Sequence, residues 1–207
     1  MSDARTRLVA EGYDRMSDEW EAFAHDVSED PRLDWLQRLL DLLPAGSDVV
    51  ELGCGAGTRE TQELARRHRV TAVDLSGEQL RKARGRVPTA GFVQADILEL
   101  ELAPASVDAV VSFYVFNHVP RERLAGLLGT IAGWLRPGGL LLAAFGTSDL
   151  ESWEGEWLGV PMFFSSYAPQ TNSRLVAEAG LAAIADEVVT IHERDGHVAF
   201  QWILARR

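Results

Sequence analysis

The sequence has only one cysteine, Cys54, among its 207 residues. An intramolecular disulfide is therefore excluded, and the composition fits a reducing compartment. Cys54 has no base beside it in the sequence, so we interpret it as a small side chain that fits a turn rather than as a catalytic thiol. The chain also has no run of about eighteen apolar residues and no apolar stretch of signal length near its start. These absences predict a soluble cytoplasmic protein without a membrane partner.

Positive charge is also scarce in this chain. Twenty basic residues stand against 31 acidic ones, which gives a net charge of −11. Such a chain repels the phosphate backbone of nucleic acids and anionic membrane surfaces. No group of His, Asp and Glu residues has the spacing of a metal site. We therefore expect neither a nucleic-acid partner nor a metal ion.

The length and the pattern of apolar residues predict one α/β domain. A chain of 207 residues with 46% hydrophobic residues fits a single core over residues 1–207. Apolar runs alternate with helical patterns from residue 46 to 145, which is typical of a parallel sheet covered by helices on both faces. The predicted strands are near 47–52, 70–74, 91–95, 107–113 and 138–145.

Helix and hairpin signals complete this prediction. Asp30 and Pro31 predict the start of a helix, with Asp30 as its cap. Ser76 and Gln79 have the spacing of a capping box. The tail predicts a helix over residues 172–180 and two strands, and Asp-Gly within residues 193–196 indicates a hairpin turn between them. The two strands are expected at 183–192 and 198–205.

The most informative feature is a glycine-rich turn followed by an acidic residue at the end of the next strand. Residues 51–58 (ELGCGAGT) follow the apolar run 48–50, and Asp74 ends the apolar run 70–73, 17 residues after Gly57. Glycines let the backbone come close to a ligand, because they have no side chain and adopt positive φ angles. An acidic side chain at the next strand end can accept hydrogen bonds from ribose hydroxyls. The pair predicts a site for a nucleoside-containing cofactor.

The glycine spacing distinguishes between cofactors. Dinucleotide sites use Gly-x-Gly-x-x-Gly, whereas Gly53, Gly55 and Gly57 form Gly-x-Gly-x-Gly after Glu51. This form resembles motif I of the class I S-adenosylmethionine (SAM)-dependent methyltransferases. The turn within residues 135–139 and the closing hairpin are also similar to that family. The resemblance runs from about residue 46 to 207 and implies a Rossmann-like, seven-stranded, mostly parallel sheet with an antiparallel closing hairpin and helices on both faces.

The resemblance also implies which residues hold SAM, whose product is S-adenosylhomocysteine. Asp74 is expected at the ribose hydroxyls, Asp96 at the adenine amine and Ile97 against the adenine ring. The glycines are expected along the methionine part and the near side of the ribose. The residues expected in the cofactor site are Tyr13, Glu51, Gly53, Gly55, Gly57, Asp74, Leu75, Asp96, Ile97 and Phe113.

Residues after the fourth predicted strand are the candidates for catalysis. His118 is the best-placed base for a phenol or an alcohol, and Asn117 could hydrogen-bond the acceptor. Both residues could equally have a structural role. Residues 112–120 lack the Asn/Asp-Pro-Pro-Tyr/Phe signature of enzymes that methylate amino groups of nucleic-acid bases or glutamine, which agrees with the charge of the chain.

Two segments lie outside the sheet pattern. Residues 1–44 predict a helical lid, because Tyr13, Met16, Trp20 and Phe23 fall on one helical face. Residues 147–170 resemble the substrate-recognition insertion of these methyltransferases. They hold aromatic residues that we expect outside any sheet strand, where they suit a flat or hydrophobic small molecule. The residues expected to contact the substrate are Trp20, Trp153, Trp157, Phe163, Phe164 and Tyr167.

These observations together predict SAM-dependent methyl transfer to a small, hydrophobic or aromatic molecule, such as a tailoring step of secondary metabolism. Methylation on oxygen is preferred, because His118 could remove a proton from a hydroxyl group. N- or C-methylation of a small metabolite is the alternative, followed by an NAD(P)-dependent oxidoreductase or a SAM-binding module without catalysis. The sequence leaves a monomer and a homodimer open.

Overall fold

The computed structural model describes residues 4–193 and 196–207. Seven strands form one sheet in the order β3-β2-β1-β4-β5-β9-β8, in which neighbours from β3 to β5 are parallel and β9 is antiparallel to both β5 and β8. This is the predicted fold class. The strands are β1 (Asp48–Leu52), β2 (Arg69–Asp74), β3 (Gly91–Gln94), β4 (Val107–Ser112), β5 (Leu135–Gly146), β8 (Ala182–Glu193) and β9 (Gly196–Arg206).

Helices lie on both faces of this sheet, and a short 3₁₀ turn (Phe116–His118) follows β4. Alternate side chains of the strands point to opposite faces, so that Val50 and Val110 belong to one buried cluster and Val49 and Val111 to another. The helices are α1 (Ala4–Arg15), α2 (Ser17–Asp26), α3 (Arg32–Leu40), α4 (Arg59–Arg67), α5 (Gly77–Arg86), α6 (Arg121–Trp134) and α7 (Pro169–Glu178). In the part of the chain described, no helix combines the length and the apolar character that crossing a membrane requires.

The order of the strands determines where a ligand can bind. The chain runs from β1 outward to β2 and β3, and then returns to place β4 on the other side of β1. The loops after β1 and β4 therefore leave the sheet in opposite directions, which opens a crevice at the carboxyl ends of these strands. The closing hairpin is confirmed, with Glu193 paired to Gly196. The predicted turn residues Arg194 and Asp195 lie outside the described ranges.

Two local predictions differ from the structure. Asp30 is not the helix cap, because Pro31 takes the N-cap position and α3 begins at Arg32. The Asp30 carboxylate instead accepts hydrogen bonds from the backbone N–H and Nε of Arg32 and from the Tyr114 hydroxyl. Two of these bonds are local and hold the first residue of α3, whereas the bond from Tyr114 is a tertiary contact that the local sequence does not show.

The aromatic insertion was expected outside any strand and is instead a β-hairpin. Strand β6 (Trp153–Trp157) pairs antiparallel with β7 (Val160–Phe164) in a separate two-stranded sheet. Leu158 and Gly159 connect the strands with φ angles of 49° and 77°, as a two-residue hairpin turn requires. Such turns usually carry Asn or Asp before the glycine, and a leucine there hides the signal.

The predicted apolar stripe at the N-terminus exists, although two helices carry it. The helix breaks at Met16, between α1 and α2. Met16 and Phe23 are buried, as expected for core residues. Helix α1 packs against β7, and together these elements form a third buried cluster beside the sheet. The N-terminal helices and the aromatic hairpin are therefore one packed unit beside the sheet.

Candidate active site

The glycine loop between β1 and α4 forms one wall of the crevice. Gly53 has a φ of 75°, in the left-handed region that favours glycine. A Cβ at Gly53 would collide with Cγ2 of Val115. Gly57 has a different task, because a Cβ there would lie 3.0 Å from the Cα of Ala83 on α5. The loop thus needs one glycine to meet the β4 loop and another to pack on a helix.

Asp74 ends β2 and joins two loops. Its Oδ2 accepts a hydrogen bond from the Gly55 backbone N–H at 2.8 Å, and its Oδ1 accepts one from the Ser76 N–H at 2.9 Å. Burial raises the pKa of Asp74 to about 6; these backbone hydrogen bonds oppose the shift, and the charge of Asp14 adds to it. Each carboxylate oxygen keeps lone-pair capacity for a further donor. The carboxylate is therefore fixed in place and still able to accept hydrogen bonds.

A first cavity of ≈100 Å³ lies against this loop and the carboxyl ends of β2, β3 and β4. Eight of the ten residues expected in the cofactor site line it: Tyr13, Gly53, Gly55, Asp74, Leu75, Asp96, Ile97 and Phe113. Glu51 and Gly57 line neither this cavity nor the second one described below. Gln79 also lines the first cavity, and the sequence had suggested only a capping role for it.

Glu51 points away from the crevice into the layer between the sheet and α4. It is 2% exposed, and its Oε2 has no hydrogen-bond partner among the residues described. Burial raises the pKa of Glu51 to about 8, and the neighbouring charges of Glu60 and Asp74 add to this rise. Glu51 is therefore mainly protonated at neutral pH. The structure does not bring it to the cofactor cavity where the resemblance had placed it.

A second cavity of ≈230 Å³ adjoins the first. Its walls come from α2, the start of α3, the β6–β7 hairpin, and the ends of β5, β8 and β9. Three of the residues expected at the substrate line it, namely Trp20, Trp157 and Phe164. The walls also hold Arg32 and Tyr114, which no motif in the sequence indicates, because they meet here only through the packing of distant segments.

The other three aromatic residues expected at the substrate lie elsewhere. Phe163 is fully buried in the cluster between α1 and the hairpin. Tyr167 packs on the core around α6, under the guanidinium of Arg121. Trp153 is 38% exposed and contacts the ring of Phe164 from outside. The hairpin thus sends some rings into the cavity and uses the rest for packing or leaves them at the surface.

Four side chains line both cavities: Tyr13, Trp20, Tyr114 and His118. They form a boundary that we call the shared wall. Two of them are hydrogen-bonded to each other, since the Tyr13 hydroxyl lies 2.9 Å from Nε2 of His118. Ligands bound in the two cavities would approach each other at this shared wall.

The hydrogen bonds of His118 fix its tautomer. Its Nδ1 lies 2.9 Å from the backbone carbonyl oxygen of Phe163, which can only accept. Nδ1 therefore carries the hydrogen, and Nε2 accepts from the Tyr13 hydroxyl. Burial lowers the pKa of His118 to about 4 and raises the pKa of Tyr13. The imidazole is neutral at pH 7, and its basic nitrogen faces the shared wall.

Asn117 also lines the second cavity. Its Oδ1 is buried, and no hydrogen-bond partner for it occurs among residues 4–193 and 196–207. Its backbone carbonyl is bonded to the N–H of Ser165 at 2.7 Å, which holds the residue in place. A buried carbonyl oxygen without a donor suits a ligand that brings an N–H or O–H group.

Hydrogen bonds and ion pairs hold the N-terminal helices against α5. Asp14 accepts hydrogen bonds from the Ser76 hydroxyl at 2.5 Å and from the Glu78 backbone N–H at 3.1 Å, both at the start of α5. Glu21 pairs with Lys82 at 2.9 Å and with Arg86 at 2.7 Å. Helices α1 and α2 are thus held on α5, the helix that follows Asp74. Across the described ranges, no three His, Cys, Asp or Glu side chains converge as metal ligands would.

Comparisons with known proteins agree with this arrangement. A family model described as a methyltransferase domain matches residues 49–139. An uncharacterized methyltransferase of Mycobacterium tuberculosis (strain H37Rv) is 37% identical over 124 residues, which are 58% of this chain and 61% of that protein. A trans-aconitate 2-methyltransferase of Rhodopseudomonas palustris (strain BisB18) is 35% identical over 128 residues, or 59% of this chain and 48% of that protein. The chain thus spans about three fifths or less of these relatives.

A solved structure extends the likeness of the fold to nearly the whole chain. It is a 1,6-didemethyltoxoflavin-N1-methyltransferase of Burkholderia thailandensis, solved with bound 1,6-didemethyltoxoflavin and S-adenosylhomocysteine. It superposes with a TM-score of 0.72 at 21% identity, over 98% of this chain and 86% of that one. The sheet order, the glycine loop and the sequence relatives agree: residues 49–139 match a methyltransferase domain, and the chain is similar to SAM-dependent methyltransferases in sequence and in fold.

Proposed function

We propose that this protein transfers the methyl group of SAM to a small hydrophobic or aromatic molecule, with a hydroxyl oxygen as the preferred acceptor. One observation carries the proposal. A cavity built on the glycine loop and Asp74 shares a wall with an aromatic cavity, and the neutral His118 stands in that wall. Such a pair of sites brings a donor and an acceptor together without bulk water between them.

The first cavity has the groups that SAM requires. The Asp74 carboxylate can accept hydrogen bonds from the two ribose hydroxyls. Leu75, Ile97 and Phe113 supply apolar surface for the adenine ring. Gly53 lets Val115 of the β4 loop pack directly against the glycine loop, which closes this side of the cavity. SAM brings a methyl group that its sulfonium already activates, so neither a metal ion nor a nucleophilic side chain is required of the protein. The task of the protein is to orient the acceptor and exclude water.

The second cavity suits a flat acceptor. Trp20, Trp157 and Phe164 give it aromatic faces, and such faces favour stacking with another ring. Asn117 Oδ1 supplies a buried acceptor for one donor group of the ligand. The walls also carry polar groups such as those of Arg32 and Ser166, and a few polar groups among aromatic walls are typical of a site that orients a small molecule. This supports a small aromatic acceptor.

The preference for oxygen depends on His118 and Tyr13. A hydroxyl acceptor must lose its proton as the methyl group arrives, and the neutral imidazole of His118 can take it. The burial that lowers the pKa of His118 to about 4 also makes it a weak base, so the proton leaves together with methyl transfer and not before it. Nε2 of His118 is occupied by the Tyr13 hydroxyl. The acceptor proton therefore passes to the Tyr13 oxygen while the Tyr13 proton passes to Nε2. Under this proposal both roles that the sequence left open for His118 apply, because its Nδ1 also anchors the hairpin.

N-methylation is the second candidate. The enzyme of Burkholderia thailandensis that superposes on 98% of this chain is an N1-methyltransferase. A ring nitrogen could use the same aromatic cavity and the same oxygen of Asn117. We further propose that residues 1–207 form one domain with a lid at 1–44 and a recognition insertion at 147–170. A cytoplasmic location, a role in secondary metabolism, and a monomer or homodimer are part of this proposal.

The test measures cofactor binding first and transfer second. Isothermal titration with S-adenosylhomocysteine should give binding that Asp74→Ala weakens by about 1.5–3 kcal/mol, because two hydrogen bonds to a carboxylate are lost. Asp41→Ala, at an exposed carboxylate, is the matched control. NADH should give no heat. If millimolar S-adenosylhomocysteine also gives none, the proposal is wrong.

Transfer is then followed with methyl-labelled SAM and matched acceptors on one ring, namely a phenol, a benzoic acid and an aniline. Label in the phenol product supports the proposed acceptor. Label in the aniline alone would favour N-methylation. Tight binding without any labelled product over a broad panel would indicate a SAM-binding module instead of an enzyme.

A further inference from the structure

Gln79 on α5 has a buried carboxamide without partners. The residue is 1% exposed, and neither its Oε1 nor its Nε2 has a hydrogen-bond partner among the described residues. The side chain lines the first cavity, as Asp74 does. Buried carboxamides in folded proteins are nearly always hydrogen-bonded, because leaving both groups unpaired is unfavourable. A ligand in this cavity is the available source of partners.

The local hydrogen bonds explain why this side chain is unpaired. In a capping box Gln79 would bond back to the N–H of Ser76. Here Ser76 Oγ accepts from the Gln79 backbone N–H at 3.1 Å, as predicted, but the Ser76 N–H is taken by Asp74 Oδ1. The carboxamide lies toward the glycine loop instead, with its Oε1 3.9 Å from the position that a Cβ on Gly55 would take. It therefore lies close to Gly55, whose backbone N–H binds Asp74.

A ribose needs a donor that Asp74 cannot provide. A hydroxyl group donates one hydrogen bond and accepts others, whereas an ionised carboxylate only accepts. Two ribose hydroxyls bonded to Asp74 would leave their oxygens without a donor in a cavity shielded from water. The Nε2 group of a glutamine carries two N–H bonds, and the amide can turn to present them.

We infer that Gln79 is a second ribose-binding residue. One ribose hydroxyl donates its hydrogen to Asp74, and the oxygen of the same hydroxyl accepts a hydrogen bond from Nε2 of Gln79. The inference rests on the proposed function, since it concerns the nucleoside part of the same cofactor. The resemblance to the methyltransferase family gave Gln79 no role. The role follows from two observations. The Ser76 N–H is hydrogen-bonded to Asp74 and so cannot bond to Gln79, and the Gln79 amide has no other partner among the described residues.

The experiment compares hydroxyl groups and side chains in one cycle. Isothermal titration measures the binding of S-adenosylhomocysteine and of its 2′-deoxy and 3′-deoxy analogues to the unmodified chain and to Gln79→Met. The variant should bind S-adenosylhomocysteine about tenfold more weakly, as expected for one lost hydrogen bond. For the analogue without the bonded hydroxyl, the same substitution should change affinity less than about twofold. Gln37→Met, at an exposed glutamine of α3, should change none of these affinities.

A stability measurement separates this role from packing. Met fills a similar volume without polar groups, so Gln79→Met should raise the melting temperature of the ligand-free chain by about 2–4 °C. Gln79→Leu removes the donor and introduces no titratable group. It should fold, and it should weaken binding at least as much as the methionine variant. A gain in stability with a loss of affinity is expected of a binding group and not of a structural one.

Several results would overturn the inference. Equal losses for S-adenosylhomocysteine and both analogues would show that the carboxamide does not read a ribose hydroxyl. Unchanged affinity in both variants would show that it does not contact the ligand, and a lower melting temperature of Gln79→Met would make it a structural group. Absence of binding to the unmodified chain would refute the proposed function, and the ribose role with it. That result is distinct from a loss confined to the variants.

Discussion

Replacing Glu51 by glutamine tests the burial of a carboxyl group behind the glycine loop. The pKa of Glu51 is about 8 in the folded chain and about 4.5 in the unfolded one. Between these values the unfolded state releases the proton and the folded state keeps it. Stability therefore falls as pH rises, by about 1.4 kcal/mol per pH unit. From pH 4.5 to 7 the free energy of unfolding should lose on the order of 3 kcal/mol through this group alone.

Glu51→Gln replaces the carboxyl group by an amide that does not titrate, so this contribution to the pH dependence of stability is lost. Urea unfolding of both proteins, followed by tryptophan fluorescence at pH 5, 6, 7 and 8, gives the difference in free energy of unfolding. The difference should move in favour of the variant by about 1.4 kcal/mol at each step up to about pH 8. All other titrating groups cancel, because they are common to both proteins.

The matched control is Glu101→Gln, at an exposed glutamate. Its difference from the unmodified chain should stay constant over the same pH range. A pH-independent difference for Glu51→Gln as well would mean that Glu51 is ionised in the folded chain. The burial described for it, and the direction of its pKa shift, would then be wrong.

Three more predictions follow from the site. Because the pKa of Asp74 is about 6 and ribose donors favour its ionised form, affinity for S-adenosylhomocysteine should be constant above pH 7 and fall up to tenfold per unit below pH 6; a flat titration profile would refute this. Tyr13→Phe leaves Nε2 of His118 without its donor and should cost about 1–2 kcal/mol in urea unfolding, whereas an equal loss in Tyr167→Phe would remove the special role of this bond. Gly53→Ala places a Cβ against Val115 at a positive φ and should cost on the order of 2–3 kcal/mol. Gly129→Ala, in open space on α6, should instead stabilise the chain by up to about 1 kcal/mol, and the opposite order of the two variants would contradict the strain at Gly53.

The parallel sheet was predictable because its signals are local. Apolar runs such as 107–113 are bounded by polar turns, and each coincides with a strand to within a few residues. The cavity at the end of β2 was predictable for the same reason, since the glycine loop and Asp74 are adjacent elements of one unit. The Asp-Gly signal also placed the closing hairpin.

The second cavity could not be predicted in this way. Arg32, Tyr114 and Phe200 lie on three segments far apart in sequence, and only the packed chain brings them to one wall. Glu51 is the opposite case, in which the local sequence predicts a ligand contact that the structure does not show. Its place before the glycines suggests a ligand contact, but the alternation of side chains along β1 turns it to the opposite face. Which aromatic rings of the hairpin enter the cavity depends on a turn at Leu158 that the usual sequence signals do not reveal.

The position of Trp20 has a practical consequence. It is the one tryptophan in the described ranges that lines both cavities, and its ring lies 5.7 Å from that of Tyr13. The emission of an indole depends on the polarity and the quenching groups around it. The fluorescence of Trp20 should therefore change when a ligand binds in either cavity. The Trp20→Phe variant, which lacks this signal, is the control.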